Sequence, residues 1–234
     1  MQTERDAEIV RWLGQIGAAS AENVMARFHM GQSWAYGRLS RLVRDGLLEQ
    51  KTLLHRRPGL YIATTEGLRW TLQERFGVYR VSAGGFAHAA ELANLAIQLY
   101  LALPQWGQMS ERELRIAESD GEKLIASVKL GELRGGRPAL HRPDLALIGG
   151  EGHVLAIELE LSIKAPRRLQ AICRAYARSR HLAHVYYLAT PGVQRAVARA
   201  VAEVRAEDRI AVLALDDVAG LADAVQGRVH HARA

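Results

Sequence analysis

Apolar residues recur at helical spacing in three successive segments near the start of the chain, and each segment is closed by a helix breaker. Ile9, Leu13 and Ile16 follow at spacings of four and three, which predicts a helix over Glu4–Ile16 that Gly17 stops. Ser20 is a good N-cap for a second helix to about Phe28, with Val24 and Phe28 turned inward. Beyond Gly31, a third helix is predicted over about 33–44, with Leu39, Leu42 and Val43 toward the core and Asp45-Gly46 ending it. The pattern then becomes strand-like. Residues 47–54 and 60–64 flank His55-Arg56-Arg57-Pro58-Gly59, a turn sequence with basic residues at its tip. Thr65-Glu66-Gly67 opens a further helix over 68–76. Three helices, a hairpin and a helix are the order of a winged helix-turn-helix, expected over residues 1–76.

Gly77, Gly84 and Gly85 mark residues 77–87 as a linker. An alanine- and leucine-rich helix follows over 86–103, then a loop through Pro104 and Trp106. Strands are predicted around 124–130, 144–148 and 154–161, then helix 166–180, strand 185–189, helix 192–205 and strand 210–215. This late alternation argues for an α/β sandwich with a mixed sheet over 88–216, and residues 217–234 are left as a tail. The expected fold class is therefore two-domain, α+β followed by α/β.

The composition fits an ordinary soluble protein of 234 residues, 49% hydrophobic and 24% charged. Its 31 basic against 25 acidic residues give a net charge of +6, a moderate hint of a polyanionic partner. The lone Cys173 allows neither an internal disulfide nor a cysteine zinc site, and no stretch is apolar enough to span a bilayer. The first residues lack the basic-then-apolar order of a signal peptide, so a cytoplasmic location without a membrane partner is expected.

Charge is concentrated in the third helix and the hairpin. Arg38, Arg41 and Arg44 recur at every third position, and Arg56 and Arg57 occupy the hairpin tip. Residues 31–60 are net positive by four once Lys51, Asp45 and Glu49 are included. Trp34 and Tyr36 lie near the N-terminal end of the helix, where such helices meet DNA, and Trp34 suits packing or backbone contact better than base reading. Double-stranded DNA is the expected partner, with the arginines on phosphates. The alternative is a solvated helix face in a protein-contact module.

A second constellation is acidic. Arg142-Pro143-Asp144 enters one strand, a Gly149-Gly150-Glu151-Gly152 turn follows, and the next strand carries Glu158 and Glu160 on one face among apolar residues. Clustered carboxylates without a base are costly unless a hard cation lies between them, and oxygen-only ligation suits Mg²⁺ or Mn²⁺ and hydrolysis of a phosphodiester. Pro143-Asp144, a turn, then Glu158-x-Glu160 on a strand before a helix resembles the PD-(D/E)xK restriction-endonuclease-like fold. That resemblance implies metal binding by Asp144 and Glu158, with Glu160 where the usual lysine stands, as third ligand or water-orienting base. It also implies a displaced positive charge from Lys164 and an added acidic residue, for which Glu113 is the candidate. A winged helix followed by His88, Trp106, Glu111, Glu113 and these motifs is similar to the plasmid replication-relaxation family and to mobilisation relaxases. This implies an endonuclease or nickase acting at a plasmid or mobile-element origin. A homodimer and relaxosome or replication proteins are the protein partners compatible with such a role.

Other readings of the same residues stay open. Glu158 and Glu160 could pair with Arg142, Arg167 or Arg168, Glu113 could complete a capping box with Ser110, and Lys164 could be a solvated loop residue. Arg167, Arg168, Arg174, Arg178 and Arg180 either line a second DNA track or face solvent. Tyr176, Tyr186, Tyr187 and Cys173 read as core. The rival function is a non-catalytic DNA-binding regulator with a degenerate nuclease fold; a structure-specific repair nuclease is a third.

Overall fold

The computed structural model describes residues 2–53, 58–119, 123–133 and 135–231, which divide into two compact units, Met1–Ile97 and Gln98–Ala234. In the first unit, α1 (Glu4–Ile16), α2 (Ala21–Phe28) and α3 (Gln32–Arg44) precede the antiparallel strands β1 (Leu48–Lys51) and β2 (Leu60–Ala63). Ser20 caps α2 as its sequence suggests, its hydroxyl taking the Asn23 N–H while the Asn23 side chain takes the Ser20 N–H. Ile9, Val10, Leu13, Val24, Leu39, Leu42 and Leu48 are buried together with Leu60 and Ile62.

Two expectations for this unit change. The helix expected over 68–76 starts earlier, as α4 (Thr65–Trp70) capped by Thr64, and breaks where Leu72 turns left-handed at φ 59° before a short 3-10 turn, Glu74–Phe76. Residues 77–87 are no free linker: Tyr79, Val81 and Phe86 pack with Ala18, Leu60, Ile62 and Ala89. Ala89 and Phe86 lie on α5 (Phe86–Ala102), so the division between units falls inside that helix.

The second unit is built on a mixed sheet. Here β3 (Gly107–Ser110) precedes α6 (Glu111–Ala117), the hairpin β4 (Val128–Glu132) and β5 (Pro138–His141), then β6 (Leu145–Ile148) and β7 (Val154–Glu160). The chain continues through α7 (Pro166–Arg178), β8 (His184–Ala189), α8 (Pro191–Glu203), β9 (Ile210–Ala214) and α9 (Val218–His231). The five-stranded sheet has the order β3-β6-β7-β8-β9, antiparallel from β3 to β7 and parallel from β7 to β9. Parallel neighbours need crossovers, and α7 and α8 provide them. Their apolar stripes, Leu169, Ile172, Cys173 and Tyr176 with Val193, Val197 and Val201, join Ala156, Val185, Tyr187 and Ala189 in one core.

Sequence patterning missed three elements of this unit. Residues 107–110 and 138–141, for which the pattern predicts no element, form β3 and β5, and the 217–234 tail contains α9. Among the described residues no helix is long and apolar enough to cross a membrane.

Candidate functional site

The basic stripe of α3 divides. Arg38 and Arg41 turn toward α1 and close on Asp6, which is fully buried. Arg38 Nη1 donates to Asp6 Oδ1 at 2.6 Å and to Thr3 Oγ1 at 2.7 Å. Arg41 Nη2 donates to both Asp6 oxygens, at 3.0 and 2.8 Å. The same carboxylate accepts the Thr3 N–H at 2.7 Å, completing a capping box that starts α1. Burial alone would raise the Asp6 carboxyl; hydrogen bonds from Thr3 and Arg38 and the Arg38 charge hold it below its ordinary value. These two arginines therefore fasten one helix to another, contrary to the stripe expected from spacing alone.

What α3 leaves exposed is Gln32, Ser33, Trp34 (71%), Tyr36, Gly37, Ser40 and Arg44. Arg38 lies over the Trp34 ring, its guanidinium carbon 5.7 Å from the centroid, and so orients the indole from beneath. The Tyr36 hydroxyl donates to Glu22 on α2 at 3.2 Å; the Glu22 charge raises Tyr36, while Glu22 is lowered chiefly by its own backbone N–H, with Ser20 and Tyr36 adding to it against burial. On the hairpin, Lys51 is paired with Glu49. Arg56 and Arg57 lie outside the described residues.

In the second unit, strand register gathers the acidic residues. Leu145 pairs with Ile157 in the antiparallel β6–β7 ladder, which sets Asp144 level with Glu158 at the strand end. Asp144 Oδ2 accepts the Leu159 N–H at 2.8 Å, and the Asp144 carbonyl accepts the Glu111 N–H at 3.0 Å. Glu158 and Glu160 share a face of β7 with Ala156, and both are buried.

Each glutamate has a dedicated partner, and neither partner is one of the arginines considered from sequence. Glu158 Oε1 meets His141 Nε2 at 2.7 Å and accepts from the Tyr176 hydroxyl; the other oxygen takes neither. Burial pushes the Glu158 carboxyl up, but the His141 charge and hydrogen bond, with Lys164 and Tyr176, hold it below the usual glutamate value. Tyr176 is driven well above its ordinary value by burial and by Glu158, so it stays a donor. Glu160 pairs with Lys164. Burial, Glu158 and Asp144 raise Glu160 despite that ion pair, whereas the three carboxylates outweigh burial and raise Lys164. Lys164 thus remains an ammonium near neutral pH and can offer positive charge, not accept a proton.

The remaining candidates take structural positions. Glu113 completes the capping box of α6, accepting the Ser110 N–H at 2.9 Å, and burial raises its carboxyl. Arg142 approaches Glu118, at 3.8 Å, not Glu158 or Glu160. Glu118 itself is buried and takes the N–H groups of Ile125, Ala126 and Ser127, at 2.8, 2.9 and 3.1 Å. Arg167 and Arg168 are exposed at the start of α7. Burial raises the Cys173 thiol to about 11, as a core cysteine should be.

His141 and Tyr176 were not assigned to the site from sequence. His141 is the last residue of a strand that patterning did not reveal, and Tyr176 lies one helical stripe from Ile172 and Cys173, where it reads as core.

Among the described residues no group of three His, Cys, Asp or Glu side chains is placed to hold a metal ion. Asp144 and Glu158, set level by the β6–β7 register, are the two carboxylates that could share a hard cation. Mg²⁺ needs only one or two carboxylates when waters and a substrate phosphate complete its shell. No protein-family model, curated protein or solved structure matches this chain.

Proposed function

We propose that this chain binds double-stranded DNA through a winged helix-turn-helix formed by α1 to α4 and the β1–β2 hairpin, and nicks or cuts it with a nuclease-like second unit. The observation that carries the reading is the Lys164 ammonium, held by Glu160 and acted on by the charges of Glu158 and Asp144. A carboxylate pair facing a fixed cation is what cleavage of a phosphodiester needs: anionic ligands on one side, charge stabilisation on the other. Lys164 does from the loop what a strand lysine would otherwise do, and Glu160 is its positioning residue.

Asp144 and Glu158 would hold Mg²⁺ or Mn²⁺. Such an ion, when bound, polarises a phosphoryl oxygen and lowers the pKa of its water. The chain's own residues fix the geometry. The Leu159 N–H orients Asp144, while His141 and Tyr176 hold one Glu158 oxygen and leave the other for ligation. Lys164 presents its ammonium to charge developing on the phosphate. On the DNA-binding unit, Trp34 and Arg44 are the contacts, with Arg38 supporting Trp34 from below. The resemblance to replication-relaxation and mobilisation proteins extends this reading to origin DNA of a plasmid or mobile element in the cytoplasm.

The test is conversion of supercoiled plasmid to open circles with Mg²⁺ or Mn²⁺. Wild type is expected to nick, and Asp144→Asn and Lys164→Ala to lose at least ~100-fold, the scale of one lost electrostatic stabiliser. Equal nicking by wild type and Asp144→Asn would refute the catalytic assignment.

One observation favours a second reading, a DNA-binding regulator without catalysis. Glu158 Oε1 already has two donors and Glu160 an ammonium, so much of the acidic cluster is balanced by the chain itself. A regulator would bind DNA yet show no metal-dependent nicking and no metal-dependent rise in melting temperature.

A further inference from the structure

At the other end of α7 from Lys164, two adjoining cavities of about 630 and 600 Å³ share Arg178, Ser179 and Arg180 in their walls and together make a grooved surface. Lys129 from β4 and Arg174 line one side, and Arg205 and Asp208 the other. Asp208 is the one carboxylate in these walls. Lys129, Arg174, Arg178, Arg180 and Arg205 are all exposed, and none has an ion-pair partner among the described residues. The floor is apolar, formed by Leu124, Val128 and Ala175.

The groove is braced from beneath. Arg209 Nη2 donates to the carbonyls of Ser179 and Leu182, at 2.7 and 2.6 Å, fixing the segment that carries Arg180. His181 Nε2 lies 3.1 Å from the Ser127 carbonyl oxygen and ties that segment to the approach of β4. A solvated charge run would need no such scaffold. Like charges gathered on a fixed frame repel one another, and an anion between them relieves that repulsion.

Part of this charge has a local use. The C-terminal end of α7 carries about half a negative charge from its backbone dipole, which Arg178 alone would offset. Four further cations are left over.

We infer that this groove binds the phosphodiester backbone of a nucleic-acid strand, as a site separate from the carboxylate cluster. The choice of polyanion rests on the DNA-binding reading above. The separation follows from the helix: α7 has 13 residues between Pro166, beside Lys164, and Arg178, which is about 20 Å of rise. The shape favours an extended strand over a compact phosphate, because the cationic walls continue on both sides of the Arg178–Arg180 divide. DNA engaged here would be held at a distance from the cutting site, adding affinity without contributing to sequence choice.

The experiment compares full-length wild type with Arg174→Gln/Arg178→Gln/Arg180→Gln and, separately, Trp34→Ala/Arg44→Ala. Binding of a short fluorescent duplex and of its single strand is followed by anisotropy across a salt series, with melting temperature as the folding control. The groove variant should lose roughly tenfold or more in affinity, and its log K against log salt slope should flatten by about two to three phosphate equivalents. An unchanged slope with wild-type affinity in the groove variant, while the α3 variant weakens, overturns the groove and leaves the DNA reading standing. Loss confined to the groove variant supports the groove and removes α3 as the docking face. No binding of either probe by wild type overturns both. Calorimetric titration of inorganic tripolyphosphate gives the last arm: binding as tight as the duplex would assign the groove to a compact polyphosphate instead of a strand.

Discussion

Asp6 receives five hydrogen bonds from Thr3, Arg38 and Arg41, and its side chain has no contact with solvent. Removing one partner of a buried ion pair costs more than the pair contributes, because the remaining charge has lost water and gained nothing. Asp6→Asn should therefore destabilise the first unit by about 3 kcal/mol, the lower end of that range because Arg41 is still one-third exposed. The pH dependence has a definite sign. The folded Asp6 carboxyl lies below its ordinary value of 3.8, so its contribution is complete above that pH and is lost as pH falls through the folded value. Thermal melts of wild type and Asp6→Asn should be well separated at neutral pH and converge below pH 3.8. A constant gap across that range would show that Asp6 is not the titrating group. The residue scale is also where sequence was least informative. The spacing of Arg38, Arg41 and Arg44 is visible in the chain, but the partner shared by Arg38 and Arg41 lies 32 to 35 residues away. The same blindness hid His141 from Glu158, 17 residues apart and on different sheets.

Elements were easier to foresee where the signal is local. The capping residues Ser20 and Ser110 mark the starts of α2 and α6, and the alternation around Glu158 puts both glutamates on one face. The elements that escaped have little local signal. The β3 strand, Gly107-Gln108-Met109-Ser110, is held by its ladder with β6, while every residue of β5 is half-buried, so neither alternates. Helix α4 shows how packing reverses a propensity. Alanine is favoured over glycine inside a helix by about 1 kcal/mol. At Gly67, however, an added Cβ would stand 2.1 Å from the Leu47 carbonyl oxygen, which is backbone and is already bonded to the Thr64 N–H at 3.1 Å. Gly67→Ala is expected to destabilise by about 1–3 kcal/mol, the cost of overpacking. Chemical denaturation would measure it, and a stabilised variant would mean that β1 and α4 can separate at no cost.

For the whole molecule, the proposed DNA binding raises the question of whether a net charge of +6 or the placement of particular cations would govern the affinity. The two accounts differ for a pair of substitutions that each remove one positive charge from α3. If the overall field dominates, Arg41→Gln and Arg44→Gln should weaken binding equally, since each lowers the net charge by the same amount. The clamp on Asp6 predicts otherwise. Arg41 already commits its Nη2 group to a buried carboxylate, whereas Arg44 is exposed with no ion pair among the described residues. Arg44→Gln should weaken DNA binding and flatten the salt slope by about one phosphate equivalent, with the melting temperature unchanged. Arg41→Gln should lower the melting temperature while the folded fraction binds nearly as wild type. Calorimetry and anisotropy on the same samples separate the two. Equal affinity losses at equal stability would return the role of α3 to the protein's overall charge and remove the specific docking face from the proposal.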